Sequence, residues 1–381
     1  MRRRLMLAAA TAALAMLGTG VAGSGVAGAA TAGWTLGTVP LPAGVKHAAL
    51  YGVSCSQAAD CVAVGTYLHG TLASLAEQWN GTSWSVLAVP APAGSKHESL
   101  ESVSCSSAAN CTAVGYGVSH QGAESALAEY WNGTSWTVQP TPSAPGGELL
   151  AVSCPSATDC TATGSSTGAD GTALALAEHW NGSKWTLQSA PTPYTNTSLV
   201  GVDCVSATWC TAVGNSGSVL IAEHWNGSSW NYSVPPSPVK GVFGESFDSI
   251  SCPSAEVCDA VGFYGTGGPN QPLAEQWSGG KWTAVTTPLP AGSSEGSLYG
   301  VSCTAPDSCT AAGWGATTSG PTDALAEHWN GTAWTVEPTA QPASRKSLEA
   351  ISCPSARACV AVGVSPELGE FPQQNPVAEQ Q

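Results

Sequence analysis

CSSAANCTAVGYGVSHQGAESALAEYWNGTSWTV, residues 105–138, is the stretch from which the rest of the chain can be read. It holds a C-x5-C unit, the short run Cys111-Thr112-Ala113-Val114-Gly115, a variable segment, and a Leu-Ala-Glu-x-Trp-Asn-Gly block that leads to a second tryptophan. The same unit returns, whole or nearly so, seven times. Its cysteines supply the alignment: Cys55/Cys61, Cys105/Cys111, Cys154/Cys160, Cys204/Cys210, Cys252/Cys258, Cys303/Cys309 and Cys353/Cys359. These pairs take all 14 cysteines, and successive first cysteines stand 50, 49, 50, 48, 51 and 50 residues apart.

Within the second copy, Leu100-Glu101-Ser102-Val103-Ser104-Cys105 alternates large and small residues and predicts a first strand. Residues 111–115 predict a second, ended by its glycine, and residues 116–124 read as a variable loop. Residues 126–131 predict a third strand, and Asn132-Gly133 predicts a type I′ hairpin with φ > 0 at both positions. Trp136-Thr137-Val138 opens a fourth strand, which Pro140 and Pro142 stop. Four short antiparallel strands per unit, repeated at about 50 residues without helical periodicity, are the signature of β-propeller blades. The expected fold is therefore all-β, a seven-bladed β-propeller with four antiparallel strands per blade.

The last copy stops short. It ends Val377-Ala378-Glu379-Gln380-Gln381, with glutamine where the third-strand tryptophan belongs and no fourth strand. The missing piece stands at the other end, where Gly33-Trp34-Thr35-Leu36-Gly37-Thr38-Val39-Pro40 follows the pattern of residues 135–140. The N-terminal strand is expected to complete the last blade beside residues 377–381 and so close the ring. Of the 15 tryptophans, this arrangement leaves only Trp209 and Trp314 outside the repeat.

Ahead of the repeats, Arg2-Arg3-Arg4 precede an uncharged apolar run over residues 5–17, and Ala27-Gly28-Ala29 fits a small-residue cleavage site. Residues 1–29 read as a secretory signal peptide and residues 30–381 as a single propeller; no run is long enough for a membrane span. In an exported protein, pairs at one fixed spacing read as disulfides within each blade, and the spacing lacks the C-x2-C halves of a zinc site. Losing the three leader arginines takes the formal charge from −15 to −18. Such a surface repels phosphate backbones, which excludes nucleic acid as a partner. The expectation is a secreted or surface-associated monomer.

The mature chain resembles secreted bacterial seven-bladed propellers closed by strand exchange. Its C-x5-C repeat with LAExWNG is similar to repeat proteins exported by actinobacteria, over about nine-tenths of the chain. The WNGxxW turn resembles the Asp-box turn of sialidase-like propellers, although that motif opens on Ser or Thr and spaces its acid, glycine and tryptophan differently. Sialidase chemistry, which the latter resemblance would imply, clamps a carboxylate with three arginines. The mature chain has two, Arg345 and Arg357.

Two residue sets bear on function. The recurrent Glu77, Glu129, Glu178, Glu223, Glu275, Glu327 and Glu379 are expected to accept hydrogen bonds within each blade, with a cation ring as the alternative. The loop between second and third strands shares a face with the blade-to-blade connection, and both vary between copies, so that face is expected to meet ligand. Its aromatic and polar candidates are Tyr67, His69, Tyr116, His120, Phe263, Tyr264, Asn270 and Trp314. No phosphate loop, dinucleotide fingerprint, G-x-S-x-G or H-E-x-x-H occurs, and no cofactor is implied. The sequence favours a non-catalytic scaffold binding an extracellular glycan or protein. The other reading is an extracellular carbohydrate-active enzyme whose paired carboxylates come from different blades.

Overall fold

The computed structural model describes residues 33–317, 320, 322–340, 346–366 and 374–381; the leader, Arg345 and the second-to-third-strand loop of the last blade lie outside them. Regular structure among the described residues is entirely β-strand, in seven sheets of four antiparallel strands. In the first blade the inner strand is Ala48–Gln57, the second Asp60–His69, the third Thr71–Trp79 and the outer Trp84–Leu87. Each inner strand packs against the inner strands of both neighbours, and the last of them against the first.

Strand ends depart from the sequence reading. In the second blade the inner strand runs Ser95–Ser107, the second Asn110–Ser119 and the third Glu124–Trp131. The expected nine-residue loop is thus a tight turn over residues 120–123, and Gly115 does not end its strand. Its role is local. Leu100 pairs with Gly115 and Ser102 with Val114, which leaves Glu101 as an extra residue in a β-bulge. A Cβ on Gly115 would lie 2.0 Å from the Ser99 carbonyl oxygen, and the same 2.0 Å clash recurs at Gly65, Gly164, Gly214, Gly262, Gly313 and Gly363. Only glycine lets the opposite strand carry its bulge.

The hairpins differ too. Gly81, Gly133, Gly182, Gly227 and Gly331 have φ between 86° and 90°, while the preceding asparagines keep negative φ. The loop instead has four residues, closed by the asparagine side chain: Asn80 Oδ1 accepts from the N–H groups of Thr82 (3.0 Å) and Ser83 (2.9 Å). These asparagines are turn parts, as expected. The two-residue turn with both φ positive occurs in the fifth blade, at Gly279 (59°) and Gly280 (79°), between Ser278 and Lys281.

All seven expected disulfides are present, with no free cysteine: Cys55–Cys61, Cys105–Cys111, Cys154–Cys160, Cys204–Cys210, Cys252–Cys258, Cys303–Cys309 and Cys353–Cys359. Each closes the turn between inner and second strands. As expected, the two cysteines of a pair stand on neighbouring strands and flank the turn, but they differ in depth. Cys61, Cys111, Cys160, Cys210, Cys258, Cys309 and Cys359 are buried to 1% exposure or less, each inside an apolar cluster between blades. Cys55, Cys105 and Cys303 are only half-buried. The reason is position in the sheet. The second strand has a neighbour on either side, so Cys61 lies between Cys55 and Trp79, and Cys210 between Cys204 and Trp225. The second cysteines are therefore core residues and belong to no ligand surface.

In each outer strand the tryptophan is buried, from Trp34 to Trp334, and it packs between blades. Val62, Val64 and Ala76 of the first blade, for example, meet Leu100, Leu127, Trp131 and Trp136 of the second. Trp185 Nε1 also donates to Gln139 Oε1 of the preceding blade at 2.9 Å, and Trp230 Nε1 to Gln188 Oε1 at 2.8 Å.

Ring closure is as expected, though the strand is shorter: Thr35–Gly37 pairs with the last strand, Thr35 opposite Gln380 and Leu36 opposite Glu379. Trp34 sits like every other outer tryptophan, buried, its Nε1 donating to Glu337 Oε2 of the sixth blade at 3.3 Å. A second closure runs nearer the axis. The residue before each first cysteine accepts the N–H of the next blade's first cysteine: Ser54 from Cys105 (2.9 Å), Ser104 from Cys154 (3.0 Å) and Ser153 from Cys204 (3.0 Å). Asp203 accepts from Cys252 (2.7 Å), Ser251 from Cys303 (3.0 Å) and Ser302 from Cys353 (3.0 Å). Ser352 then accepts from Cys55 at 3.0 Å, and the circle is complete.

Candidate functional site

The eight nominated residues fall on four blades and form no single pocket. Because the second strands run longer than expected, Tyr67, Tyr116, Phe263, Tyr264 and Trp314 are half-buried strand residues and not loop residues. Tyr67 and Tyr264 pack against the cores of the first and fifth blades. His69 and His120 are exposed, the first at a strand end and the second in the tight turn. Asn270 accepts the N–H of Gly296 from the next blade through its main-chain oxygen at 3.0 Å. Trp314 leads inward, its Nε1 donating to Tyr299 Oη at 2.9 Å.

Tyr299 belongs to a set that sequence reasoning passed over. Every inner strand carries a bulge at the same place, four residues before its first cysteine, and the extra residues are Tyr51, Glu101, Leu150, Val200, Asp248, Tyr299 and Glu349. Since the inner strands surround the axis, these seven positions form a ring around it. Taken in order round the ring, blades five, six, seven, one and two give Asp-Tyr-Glu-Tyr-Glu, and blades three and four give Leu and Val. Neighbours orient several of them: Ser99 Oγ donates to Glu101 Oε1 at 2.6 Å, and Ser347 Oγ to Glu349 Oε1 at 2.8 Å. A signal was present in the repeat, L-x-small-V-S-C, in which x alone varies freely.

The recurrent glutamates behave unlike the expectation. All seven are completely buried. Six of them, Glu77 to Glu327, have neither carboxyl oxygen hydrogen-bonded, and burial pushes each up to about 8, with nearby Glu98 adding to the effect at Glu129 and Glu245 at Glu275. The cause lies in the junctions. Glu77 stands opposite Ala63 and shares its face with Leu75 and Trp79, all parts of one apolar cluster between blades. Glu379 is the exception: Ala340 N–H donates to its Oε2 at 3.0 Å and Lys346 Nζ stands 3.6 Å from its Oε1. Ala340 lies six residues beyond its outer-strand tryptophan. The other six junctions have proline there, Pro40, Pro90, Pro142, Pro191, Pro236 and Pro288, and proline has no N–H to give. Each glutamate is buried in its own blade, and among the described residues none belongs to a tight group of metal-ligand types. Among the described residues the one tight group of metal-ligand types is Asp259 with Cys303 and Cys309, whose sulfurs are joined to each other.

No protein-family model matches the chain, and no curated protein does. Solved structures resemble it in fold. YCF48 bound to D1 peptide superposes with a TM-score of 0.55 at 12% identity, over 91% of this chain and 94% of that one. YCF48 from Cyanidioschyzon merolae gives 0.54 at 12%, over 91% and 98%. The GH74 xyloglucanase from Xanthomonas campestris gives 0.53 at 12%, over 90% of this chain and 55% of the enzyme's. At such identity the likeness is one of architecture, and the architecture is the seven-bladed β-propeller.

Proposed function

We propose that this protein is an exported, monomeric, non-catalytic scaffold that takes a basic segment of a protein partner at the mouth of its axis. The bulge ring carries the reading. Carboxylates alternating with tyrosines suit a guanidinium or ammonium group, by charge and by the face of the phenol ring. Leu150 and Val200 opposite suit an apolar neighbour in the same segment. The serine contacts to Glu101 and Glu349 and the Trp314 contact to Tyr299 hold the donors and acceptors before any ligand arrives, which lowers the entropy cost of binding. Export rests on residues 1–29, on the seven disulfides and on the resemblance to exported actinobacterial repeat proteins; the propeller then spans residues 30–381. That a propeller of this shape can hold a peptide is consistent with the YCF48 complex.

A hydrolase reading has less support. The strongly raised glutamates are shut inside six similar junctions, whereas an acid catalyst has to meet substrate. Selection of a displayed random peptide library on the mature protein tests the proposal. Enriched peptides should carry Arg or Lys beside Leu or Phe, and should lose at least tenfold in affinity on the Glu101→Gln/Asp248→Asn/Glu349→Gln variant. No enrichment, or affinity indifferent to the three substitutions, would refute it.

A further inference from the structure

A groove of about 480 Å³ opens at the outer rim between the third and fourth blades, on the hairpin side and away from the bulge ring. Its volume lies within the roughly 300–1,000 Å³ of small-molecule sites. Leu187 and Pro191 of the third blade form one wall, and Trp225 and Trp230 of the fourth the other. Trp225 Nε1 donates to the Ala207 carbonyl oxygen at 3.3 Å, so the half-buried indole is held by its edge. The two indoles stand 5.7 Å apart, tilted by 43°. Gln188, whose Oε1 already serves Trp230, keeps its amide N–H groups, and the Ser228 hydroxyl, which donates to Asn226 Oδ1 at 2.8 Å, lies at the margin as an acceptor.

Every residue lining the groove is uncharged, in a chain with 26 acidic residues. An ionic ligand finds no partner there. Leu187, 51% exposed, also follows a rule of the fold: two residues past the outer tryptophan, six of seven blades expose a large apolar side chain, Leu36, Val86, Val138, Leu187, Tyr232 and Val336. Folding gains little from six such residues left in water. Fixed indoles with amide and hydroxyl groups at their edge suit a ring with an apolar C–H face and a hydroxyl rim.

We propose that this rim groove binds a neutral pyranose unit of an oligosaccharide, independently of any peptide at the axis. Trp225 is the stacking platform, Leu187 packs on the ring's other edge, and Gln188 and Ser228 meet hydroxyls. The test uses the full mature protein, titrated with cellohexaose, mannohexaose and chitohexaose, with oligogalacturonate as the anionic control, followed by indole N–H resonances. At least one neutral hexasaccharide should saturably shift the Trp225 and Trp230 signals, and the anionic control should not. Trp225→Ala should weaken binding at least tenfold, and so should Leu187→Glu, a surface change that leaves the core intact and so separates lost binding from lost folding. The axial triple variant should bind the sugar normally. The proposal is overturned if no neutral hexasaccharide shifts those signals, if binding survives both rim variants, or if the anionic control binds as well.

Discussion

Glu178 and Glu379 occupy the same place in two blades and are expected to respond in opposite ways to the same substitution. Glu178 is buried without a partner and its acid form is favoured up to about pH 8. Below about pH 4.5 both folded and unfolded chains hold its proton, and no penalty exists. As pH rises from there toward 8, only the unfolded chain releases the proton, so folding loses stability across that window, with a ceiling of roughly 4–5 kcal/mol for one such group. Glu178→Gln keeps the shape without the ionisable proton. It should raise Tm at pH 8 and leave it nearly unchanged at pH 4. Glu379→Gln should instead lower Tm at pH 7, because it strips the buried Lys346 of its acid partner. Thermal melts at the three pH values read both; a Glu178→Gln variant no more stable than the parent at pH 8 would mean that the carboxyl has found a partner or a water.

Among the elements, the paired inner and second strands depend most on one residue each. The glycine opposite the bulge faces a carbonyl oxygen fixed by the ladder, and no flexible side chain can yield in its place. Gly214→Ala should therefore cost several kcal/mol, well above the usual strand penalty for an added methyl, since the bulge at Val200 must shift or the strands part. The same substitution at Gly94 meets nothing within 4 Å, although its φ of 81° keeps alanine strained there. Its cost should stay near 1 kcal/mol. Chemical denaturation of the two variants compares them; equal losses would show that the bulge yields easily.

For the molecule as a whole, closure decides stability. The last blade lacks its outer strand unless Thr35–Gly37 supplies it, and Trp34 fills the junction that six other outer tryptophans fill elsewhere. Deleting residues 31–39 should expose the edge of the last sheet, empty that junction and lower Tm by well over 10 °C, with new self-association at the bare edge. Melting and light scattering of the deletion variant measure this. An unchanged Tm would mean that the circle of Ser and Asp side chains bonded to cysteine N–H groups near the axis holds the ring closed without the strand exchange.

Much of this was legible in one dimension. Cysteine spacing determined the blade count and each disulfide, because a bridge over five residues is a local event within one turn. It did not determine how deep each sulfur lies: Cys61, Cys111, Cys160, Cys210, Cys258, Cys309 and Cys359 are core residues because a strand flanks each on either side and the adjacent blade covers it. The missing last strand and the stray Trp34 determined how the ring closes, since a copy lacking a part and a part lacking a copy fit one another. The ligand surfaces were not legible in the same way. None of the eight nominated side chains belongs to the bulge ring, because loop variability marks where the chain is free to change and not where seven strands converge. The glutamates read as satisfied acceptors, yet their surroundings are set by the adjacent blade and by a proline about 40 residues earlier. The Asn-Gly turns kept their place and changed their form, because the asparagine side chain accepts the N–H groups two and three residues on and so closes a four-residue loop. What the repeat alone determined was the number of blades, their strand order and their disulfides. What tertiary structure decided was the chemistry between blades, where each environment is built from residues about 50 apart and only packing says which of them meet.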